Sequence, residues 1–420
     1  MNRIVPVLGL LIAGLLVSGN ASARIVGEAQ WKTGIHKEGV DLATSSDGTV
    51  FMLGIKSGRV THLSAAGDRI GGWKVKADSP SAIATDPDGN VLVGSDSRVE
   101  RFASTGKRLK TWRLAHDLGD GFLESSVDSI AVADSGEVYL VDGLNFQVLR
   151  LSAKGRYLGY FGGIGAKHLY LPSDIAVGPD GRLYVTEVVG RQVQVFGPKG
   201  KFIESWGRKG LGPGEFITAE GVATDDQGRV YVGDGLASRI QVFDADGKYL
   251  DQIGSGGTGP GRFSSVNSIA AEADGRFFVA DRGGTRIQPF QFSDGPHVPQ
   301  AQLYFTSKTF VVNGLPGKRV TIRLVVANFG DLTANDINVC PDRKRWFSRK
   351  MLRGVACLRV GSLEPGGTRK LTIKTRVPPK MKKNGFDFVV FRQSSSNAGG
   401  DGTPVFVYAG KHFGGFGPED

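Results

Sequence analysis

The chain has 420 residues, of which 62 are glycine, and hydrophobic residues make up 40% of it. This apolar content excludes an intrinsically disordered chain, and glycine does not recur at every third position as collagen requires. The 52 lysine and arginine residues exceed the 41 aspartate and glutamate residues, which gives a net charge of +11. A basic chain suggests an anionic partner, so the position of the charge along the sequence matters.

The first 23 residues have the pattern of an export signal. Arg3 supplies a positive charge, residues 4–17 form an apolar core, and residues 21–23 (Ala-Ser-Ala) form a small-residue cleavage site. We therefore expect a mature chain that starts at Arg24 and is secreted or held in the periplasm or cell envelope. An uncleaved N-terminal anchor is the alternative. No later stretch approaches the roughly 18 apolar residues of a membrane span.

Residues 24–293 contain one unit repeated six times, and each unit has two glycine turns between short apolar strands. The glycines of the first turns are 41 to 47 residues apart and lie at Gly48, Gly89, Gly136, Gly181, Gly228 and Gly275. The glycines of the second turns are Gly67, Gly106, Gly155, Gly200, Gly247 and Gly295. Four strands per unit are typical of a propeller blade, so the sequence predicts an all-β, six-bladed β-propeller.

The sixth unit ends near residue 293 without a fourth strand. Residues 24–31, at the mature N-terminus, resemble the fourth strands of the other units. We therefore expect this segment to complete the sixth blade and close the ring by joining its two ends. Closure also removes an exposed sheet edge that would favour aggregation.

Several segments of the repeat carry a family resemblance. Residues 212–216 (Gly-Pro-Gly-Glu-Phe), 220–223 (Glu-Gly-Val-Ala), 239–243 (Arg-Ile-Gln-Val-Phe) and 259–263 (Gly-Pro-Gly-Arg-Phe) resemble the NHL repeat. The resemblance covers about residues 36–293 and implies a six-bladed propeller of the kind found in secreted sensor domains and scaffolds. Such propellers bind varied ligands and in some relatives are enzymes, so the resemblance implies a fold more specifically than a function.

A linker with two prolines, residues 294–300, precedes a second predicted domain at residues 301–408. Short strand patterns at 320–326, 371–376 and 386–391, separated by turn residues, predict an immunoglobulin-like β-sandwich. Residues 325–330 and 361–366 resemble the CARDB type of bacterial surface domain, which implies extracellular placement and an interaction role. Residues 409–420 are predicted to form a loose tail.

The two cysteines of the chain are Cys340 and Cys357. In an oxidising compartment such a pair predicts one disulfide bond. Two buried free thiols are the alternative. A zinc site is excluded because no histidine neighbours the pair.

The positive charge lies in the second domain, because residues 24–300 carry 31 cationic and 33 anionic side chains whereas residues 301–420 carry 20 and 8. A cationic run with two aromatic residues lies inside the predicted disulfide loop and comprises Arg343, Lys344, Arg345, Trp346, Phe347, Arg349 and Lys350. Arginine binds phosphate bidentately, so we expect an anionic envelope polymer or lipid headgroup there rather than intracellular nucleic acid. A solvated cationic face, with Trp346 packed on the sandwich, is the alternative.

The first strand of each blade is expected to begin at one mouth of the central channel, where ligands of propellers usually bind. The residues entering the six first strands are Val40, Ser81, Asp128, Ser173, Glu220 and Asn267. Three of them, Asp128, Glu220 and Asn267, offer oxygen ligands for a hard cation if they converge. They resemble the metal ligands of gluconolactonase-type propellers, which implies a metal-dependent lactonase- or lyase-like hydrolase as the alternative function. A polar channel lining is the simpler interpretation, and we expect no cofactor.

Acidic residues follow most second strands, and arginine or glutamine follows a few positions later. The acidic residues are Asp96, Asp142, Glu187, Asp234 and Asp281, and their followers are Arg98, Gln147, Arg191, Arg239 and Arg286. The simplest interpretation is a set of ion pairs that fix the loops. The alternative is a ring of contacts for a peptide or glycan, formed by Asn145, Phe146, Arg191, Arg239 and Arg286.

The six histidines occupy different parts of the repeat, which argues against the zinc site of amidating-lyase-type NHL propellers. No Gly-x-Ser-x-Gly sequence occurs. The sequence therefore predicts an exported, non-catalytic binding or scaffold protein. Its expected ligand is an extracellular or envelope protein, a glycan or an anionic polymer, recognised by the propeller mouth and the basic domain. A passive structural protein of the envelope is a third interpretation.

Overall fold

The computed structural model describes residues 25–27, 31–32, 40–114, 125–163, 169–257, 260–281, 286–292, 303–305, 311–313, 319–328, 334–342, 357–364, 368–376, 386–394 and 402–408. These residues form strands joined by turns and short loops. None of these residues belongs to a helix with the length and apolar character that a membrane span needs.

Twenty-five strands form the propeller. They are β1 (Ile25–Gly27), β2 (Trp31–Lys32), β3 (Val40–Thr44), β4 (Val50–Gly54), β5 (Arg59–Leu63), β6 (Arg69–Lys74), β7 (Pro80–Thr85), β8 (Val91–Ser95), β9 (Arg98–Phe102), β10 (Arg108–Arg113), β11 (Ser129–Val132), β12 (Val138–Asp142), β13 (Gln147–Leu151), β14 (Tyr157–Gly162), β15 (Pro172–Val177), β16 (Leu183–Glu187), β17 (Gln192–Phe196), β18 (Phe202–Trp206), β19 (Ala219–Thr224), β20 (Val230–Asp234), β21 (Arg239–Phe243), β22 (Tyr249–Ile253), β23 (Val266–Ala271), β24 (Arg276–Asp281) and β25 (Arg286–Phe292).

Six antiparallel sheets form the blades, and in blades 1 to 5 the strands follow one another in sequence order. Blades 1 to 5 comprise β3–β6, β7–β10, β11–β14, β15–β18 and β19–β22. Blade 6 contains β23–β25, and both β1 and β2 pair with β25, with Ile25 opposite Phe292. The six-bladed propeller and its closure by the N-terminal segment therefore agree with the sequence prediction.

The second strand of each blade supplies the hydrophobic core. In β4, β8, β12, β16 and β20 every residue is buried, as expected for short β-branched and aromatic strands covered on both faces. Aromatic side chains on these strands reach the next blade, and the rings of Tyr231 and Phe277 lie 4.7 Å apart. The core is therefore divided among the interfaces between blades.

Polar contacts of the first strands link every pair of neighbouring blades. The six links are Ile83 N to Asp41, Ser81 Oγ to Val127 O, Ser129 Oγ to Asp174, Val222 N to Asp174, Asn267 Nδ2 to Glu220, and Ser268 Oγ to Asp41. Because each polar group is paired, the channel wall avoids the desolvation cost of unpaired polar groups.

A second contact between blades depends on glycine. The aromatic residue near the end of a fourth strand packs on the glycine of the next blade's second turn, as Trp112 packs on Gly155. A Cβ added at Gly155 would lie 2.3 Å from Trp112 Nε1. The same arrangement joins Trp73 to Gly106, Phe161 to Gly200 and Trp206 to Gly247. The repeated second-turn glycine is therefore needed for close packing as well as for its positive φ.

Eight strands of the C-terminal region form two sheets, and they are β26 (Leu303–Phe305), β27 (Val311–Asn313), β28 (Arg319–Asn328), β29 (Ala334–Asp342), β30 (Leu358–Leu363), β31 (Thr368–Arg376), β32 (Phe386–Ser394) and β33 (Gly402–Tyr408). One sheet has the order β26-β28-β31 and the other β27-β33-β32-β29-β30. The three predicted strand patterns lie within β28, β31 and β32. The immunoglobulin-like arrangement stays a prediction.

Replacing Gly155 by alanine tests the glycine contact. We expect Gly155→Ala to destabilise the propeller by about 2 kcal/mol or more, because it combines a left-handed backbone (φ 82°) with a clash against Trp112. Gly181→Ala is the matched control, because Gly181 has a φ of 79° and nothing within 4 Å of its added Cβ. Thermal unfolding should show the larger loss for Gly155→Ala. Equal losses would mean that only the backbone conformation matters.

Candidate functional site

One end of the propeller carries the loops between second and third strands, and the first strands begin there. We call it the mouth face. Its loops are residues 55–58, 96–97, 143–146, 188–191 and 235–238 in blades 1 to 5. The tight turns at 45–49, 86–90 and equivalent positions lie at the opposite end, which we call the turn face.

Buried carboxylates hold the mouth-face loops. Asp142, Glu187, Asp234 and Asp281 end the second strands of blades 3 to 6 and are buried. Each accepts a hydrogen bond from the segment that leads into its own blade's first strand, and the donors are Ser126 N, Tyr170 N, Thr218 N and Ser264 N. Each carboxylate thus joins two neighbouring loops, so the mouth face is organised without a ligand.

Two of the predicted ligand contacts belong to these loop anchors. Arg239 is fully buried, lies 3.3 Å from Asp234, and donates to the carbonyl oxygens of Leu211 and Glu215. Arg286 lies 3.0 Å from Asp281. Burial raises the pKa of Asp234, and the charge of Arg239 partly offsets that rise. Both arginines thus occupy the loop-fixing ion pairs that were one of the two interpretations of the sequence.

The other contacts predicted in the loops lie closer to solvent. Asn145 is exposed and donates from Nδ2 to Asp142 at 2.8 Å. Phe146 and Arg191 are half-buried and have φ values of 54° and 52°, which hold the last residue of each loop in a left-handed conformation. Arg191 Nε donates to Ile217 O of the next blade at 3.2 Å. Of the predicted loop contacts, Asn145 is the one the structure leaves exposed.

The three oxygen-bearing residues at the channel mouth do not form one cluster. Asn267 donates to Glu220 on the neighbouring blade, whereas Asp128 is exposed and accepts from Ser126 and Gly143 in its own blade. Blades 3 and 6 stand on opposite sides of the six-membered ring, so Asp128 lies apart from the pair that Glu220 and Asn267 form. Among the described residues, no group of three His, Cys, Asp or Glu side chains is placed to hold a metal ion.

Two carboxylates inside the channel were missed by the sequence analysis. Asp41 accepts hydrogen bonds from Ser268 Oγ at 2.7 Å and Ile83 N at 2.8 Å. Asp174 accepts from Ser129 Oγ, and from Val222 N at 2.8 Å. Although both side chains keep some solvent contact, the surrounding protein raises the pKa of Asp41 to about 6. Burial, together with the charge of Asp41, raises the pKa of Asp174 to about 7.

Asp41 and Asp174 each lie one residue after the positions that the sequence analysis assigned to the start of the first strands. The channel positions in blade order are Asp41, Ala82, Ser129, Asp174, Gly221 and Ser268. The order aspartate, small residue, serine thus occurs twice, and the two carboxylates stand on opposite blades. In the blade that follows each aspartate, the equivalent position holds a small residue, Ala82 or Gly221. The aspartate can therefore reach the backbone N–H of the residue after it.

Aliphatic side chains at the tips of the mouth-face loops were also missed. Leu144, Val189 and Leu236 are 57%, 56% and 71% exposed and occupy the second position of the loops in blades 3, 4 and 5. We call these three residues the apolar arc. Beside it lie Tyr170 and Leu171, which are also exposed, and Leu171 O accepts from Val188 N at 3.2 Å. Because exposed apolar groups recur at equivalent positions of three successive blades, we take the apolar arc as the candidate binding surface.

Leu171, beside the apolar arc, has a φ of 55°. This left-handed conformation is uncommon for a bulky residue.

The predicted polyanion contacts Arg343, Lys344, Arg345, Trp346, Arg349 and Lys350 lie outside the described residues. Cys340 lies in β29, and Cys357, just before β30, is exposed.

Comparison with known proteins supports the fold. A family model described as a 6-bladed beta-propeller matches residues 221–312. No curated protein matches the chain. The match leaves the NHL identification a prediction.

Solved structures of similar shape include a streptogramin B lyase, at 13% identity and a TM-score of 0.47, covering 64% of this chain and 98% of that one. The gluconolactonase of Xanthomonas campestris has 17% identity and a TM-score of 0.46, covering 63% and 86%. Regucalcin, a calcium-binding protein of Agrobacterium tumefaciens, has 14% identity and a TM-score of 0.47, covering 63% and 93%. Because the sequence identities and TM-scores are this low, the similarity assigns neither an activity nor a ligand to this chain.

The raised pKa values of Asp41 and Asp174 predict a pH-dependent stability. The folded protein retains protons on these groups at pH values where the unfolded chain, with pKa near 3.8, has lost them. Their contribution to the free energy of unfolding therefore falls as pH rises from about 4 to about 7. We expect Asp174→Asn to flatten this dependence, so that the Tm difference between pH 5 and pH 8 shrinks by several degrees.

Asp134→Asn is the control for this measurement, because Asp134 is an exposed residue of the turn face. It should leave the pH dependence of Tm unchanged. If Asp174→Asn keeps the pH profile of the original protein, the channel carboxylates do not titrate in this range.

Proposed function

We propose that the protein is a non-catalytic binding protein whose mouth face recognises a segment of another polypeptide through the apolar arc. The observation that carries this proposal is the exposure of Leu144, Val189 and Leu236 on loops that are already held in place. Burying three such side chains on binding would contribute several kcal/mol, at about 25 cal/mol per Å² of apolar surface. Organised loops lose little conformational entropy on binding, which favours affinity.

The chemistry of the arc favours a polypeptide over the other ligand classes considered. A glycan needs polar partners for its hydroxyl groups, yet Asp142, Glu187 and Asp234 already hold the loops. A polyanion needs several available cations, whereas in blades 4 to 6 Arg239 and Arg286 are committed to ion pairs and Arg191 donates to backbone carbonyl oxygens. Leucine and valine side chains at loop tips suit the aliphatic or aromatic residues of a peptide.

The proposed setting is outside the cytoplasm, with an NHL-type propeller joined to an immunoglobulin-like, CARDB-like sandwich that binds an anionic polymer through residues 343–350. The register of the C-terminal sheet supports the proposed disulfide. Val339 pairs with Leu358, so the next antiparallel positions are Cys340 and Cys357. Directly opposed Cα atoms lie about 4.5–5.5 Å apart, within the range for a disulfide.

An intact mass of the protein recovered after expression with its own leader tests this setting. We expect a chain that lacks residues 1–23 and gains about 2 Da on reduction, as one disulfide requires. A retained leader would contradict export by cleavage. An unchanged mass on reduction would leave two free thiols instead.

Panning a displayed library of random linear peptides against the full chain tests the binding function. We expect enriched peptides rich in aliphatic or aromatic residues, and a loss of affinity of at least about tenfold for Leu144→Ser/Leu236→Ser, measured by fluorescence anisotropy. The control is Leu109→Ser/Ile203→Ser, which removes similarly exposed aliphatic residues from outer strands (47% and 48% exposed). No enrichment, or equal binding by the Leu144→Ser/Leu236→Ser variant, would contradict the proposal.

A further inference from the structure

Blades 1 and 2 place like charges opposite each other at the mouth face. Arg59, at the start of β5, pairs with Lys74 at the end of β6. In the next blade Arg98, at the start of β9, pairs with Arg113 at the end of β10. Like charges directly opposite on antiparallel strands destabilise a sheet. At the equivalent position, blade 3 pairs Gln147 with Gly162, so the arrangement is not a requirement of the repeat.

Further cations adjoin these two pairs. Lys56 and Lys76 are exposed, and Arg98 Nη2 donates to Lys76 O at 3.2 Å, which brings the two blades' cations together. Within the described part of the chain, no carboxylate forms an ion pair with Lys56, Arg59 or Lys74. We define the cationic patch as the set Lys56, Arg59, Lys74, Lys76 and Arg98.

The patch keeps a clear excess of positive charge. Among the described residues of these mouth-face segments the acidic ones are Asp78 and Asp96, both exposed, so five cations stand against two carboxylates there. An arrangement that is unfavourable in the free protein and exposed to solvent becomes favourable when an anionic ligand neutralises it. Arginine also offers paired donors that match a carboxylate.

We propose that the cationic patch binds an acidic segment of a partner polypeptide. This site goes beyond the proposed function, because it lies on blades 1 and 2 whereas the apolar arc lies on blades 3 to 5. Two contacts of different chemistry on one face suit a single chain that carries acidic residues at one end of its bound segment and aliphatic residues at the other. Their joint engagement raises affinity beyond that of either contact.

The distribution of carboxylates favours a polypeptide over an anionic membrane. Asp128 is exposed on the mouth face, and Glu220 is half-buried at its centre. A flat layer of anionic headgroups would approach these carboxylates together with the patch and be repelled by them. A narrow acidic peptide reaches blades 1 and 2 alone and avoids that repulsion.

Carbodiimide cross-linking to a biotinylated octaglutamate peptide tests the patch on the full chain. The reagent joins carboxylates to lysines in contact with them, and peptide mapping by mass spectrometry identifies the lysines. We expect capture at Lys56, Lys74 and Lys76, reduced at least fivefold by raising NaCl from 50 to 300 mM. Arg59→Glu/Arg98→Glu leaves these lysines in place and should reduce their capture at least fivefold.

Lys154→Glu/Arg156→Glu is the matched control, because it makes the same charge change at exposed turn-face positions of blade 3. It should leave capture at Lys56, Lys74 and Lys76 unchanged. The Tm of Arg59→Glu/Arg98→Glu should be equal to or above that of the original protein, since Arg59→Glu converts the like-charge pair of Arg59 and Lys74 into an opposite-charge pair. A retained Tm shows that lost capture does not reflect unfolding.

Three results would overturn the proposal. They are capture confined to other lysines, an equal loss in the Lys154→Glu/Arg156→Glu control, and tighter binding of phosphatidylglycerol vesicles than of the peptide through the same two arginines. Leu144→Ser/Leu236→Ser should leave octaglutamate capture unchanged. Failure of the apolar arc and failure of the cationic patch are therefore distinguishable.

Discussion

The hydrogen bonds that Asp41 and Asp174 accept are the interactions on which the ring depends. Each carboxylate lies on one blade and accepts from both neighbouring blades, so the two residues together connect blades 6, 1 and 2 and blades 3, 4 and 5. Serine and asparagine contacts link the remaining two interfaces. The hydrogen bonds offset part of the desolvation cost of the two carboxylates. The raised pKa values of Asp41 and Asp174 reflect the part of that cost that remains.

A closed ring fixes where the loops of each blade stand, and the buried acids at the ends of the second strands fix their shape. Asp142, Glu187 and Asp234 hold the loops from within, which leaves the loop tips exposed to solvent. On blades 3 to 5 those tips are aliphatic. On blades 1 and 2 the same face is cationic, so one face carries two kinds of exposed side chain.

Much of the propeller could be predicted from the sequence, because glycine turns impose a local conformation that recurs at a fixed spacing. The closing role of residues 24–31 was predicted because the sixth unit lacks a fourth strand and these residues resemble the fourth strands of the other units. The channel carboxylates were missed because side chains of a strand alternate between faces, and a choice one residue away selects the other face. Asp128 and Glu220 were chosen, whereas Asp41 and Asp174 line the channel centre.

The recognition surfaces were missed for different reasons. Leu144 and Leu236 look like core residues in sequence, and only the packing of their loops leaves them exposed. The total charge of the propeller is close to zero, which hides the local excess of positive charge in residues 54–113. These residues carry 11 cationic and 6 anionic side chains. The opposition of Arg59 and Lys74 depends on strand register, which composition does not report.

Methyl NMR of leucine- and valine-labelled protein tests the central claim most directly, because it reports on each loop tip separately. On addition of a library-selected peptide, the methyl resonances of Leu144, Val189 and Leu236 should shift the most, while those of Leu109 and Leu158 on outer strands stay in place. Binding that shifts the outer-strand resonances and leaves the apolar arc unchanged would contradict the account.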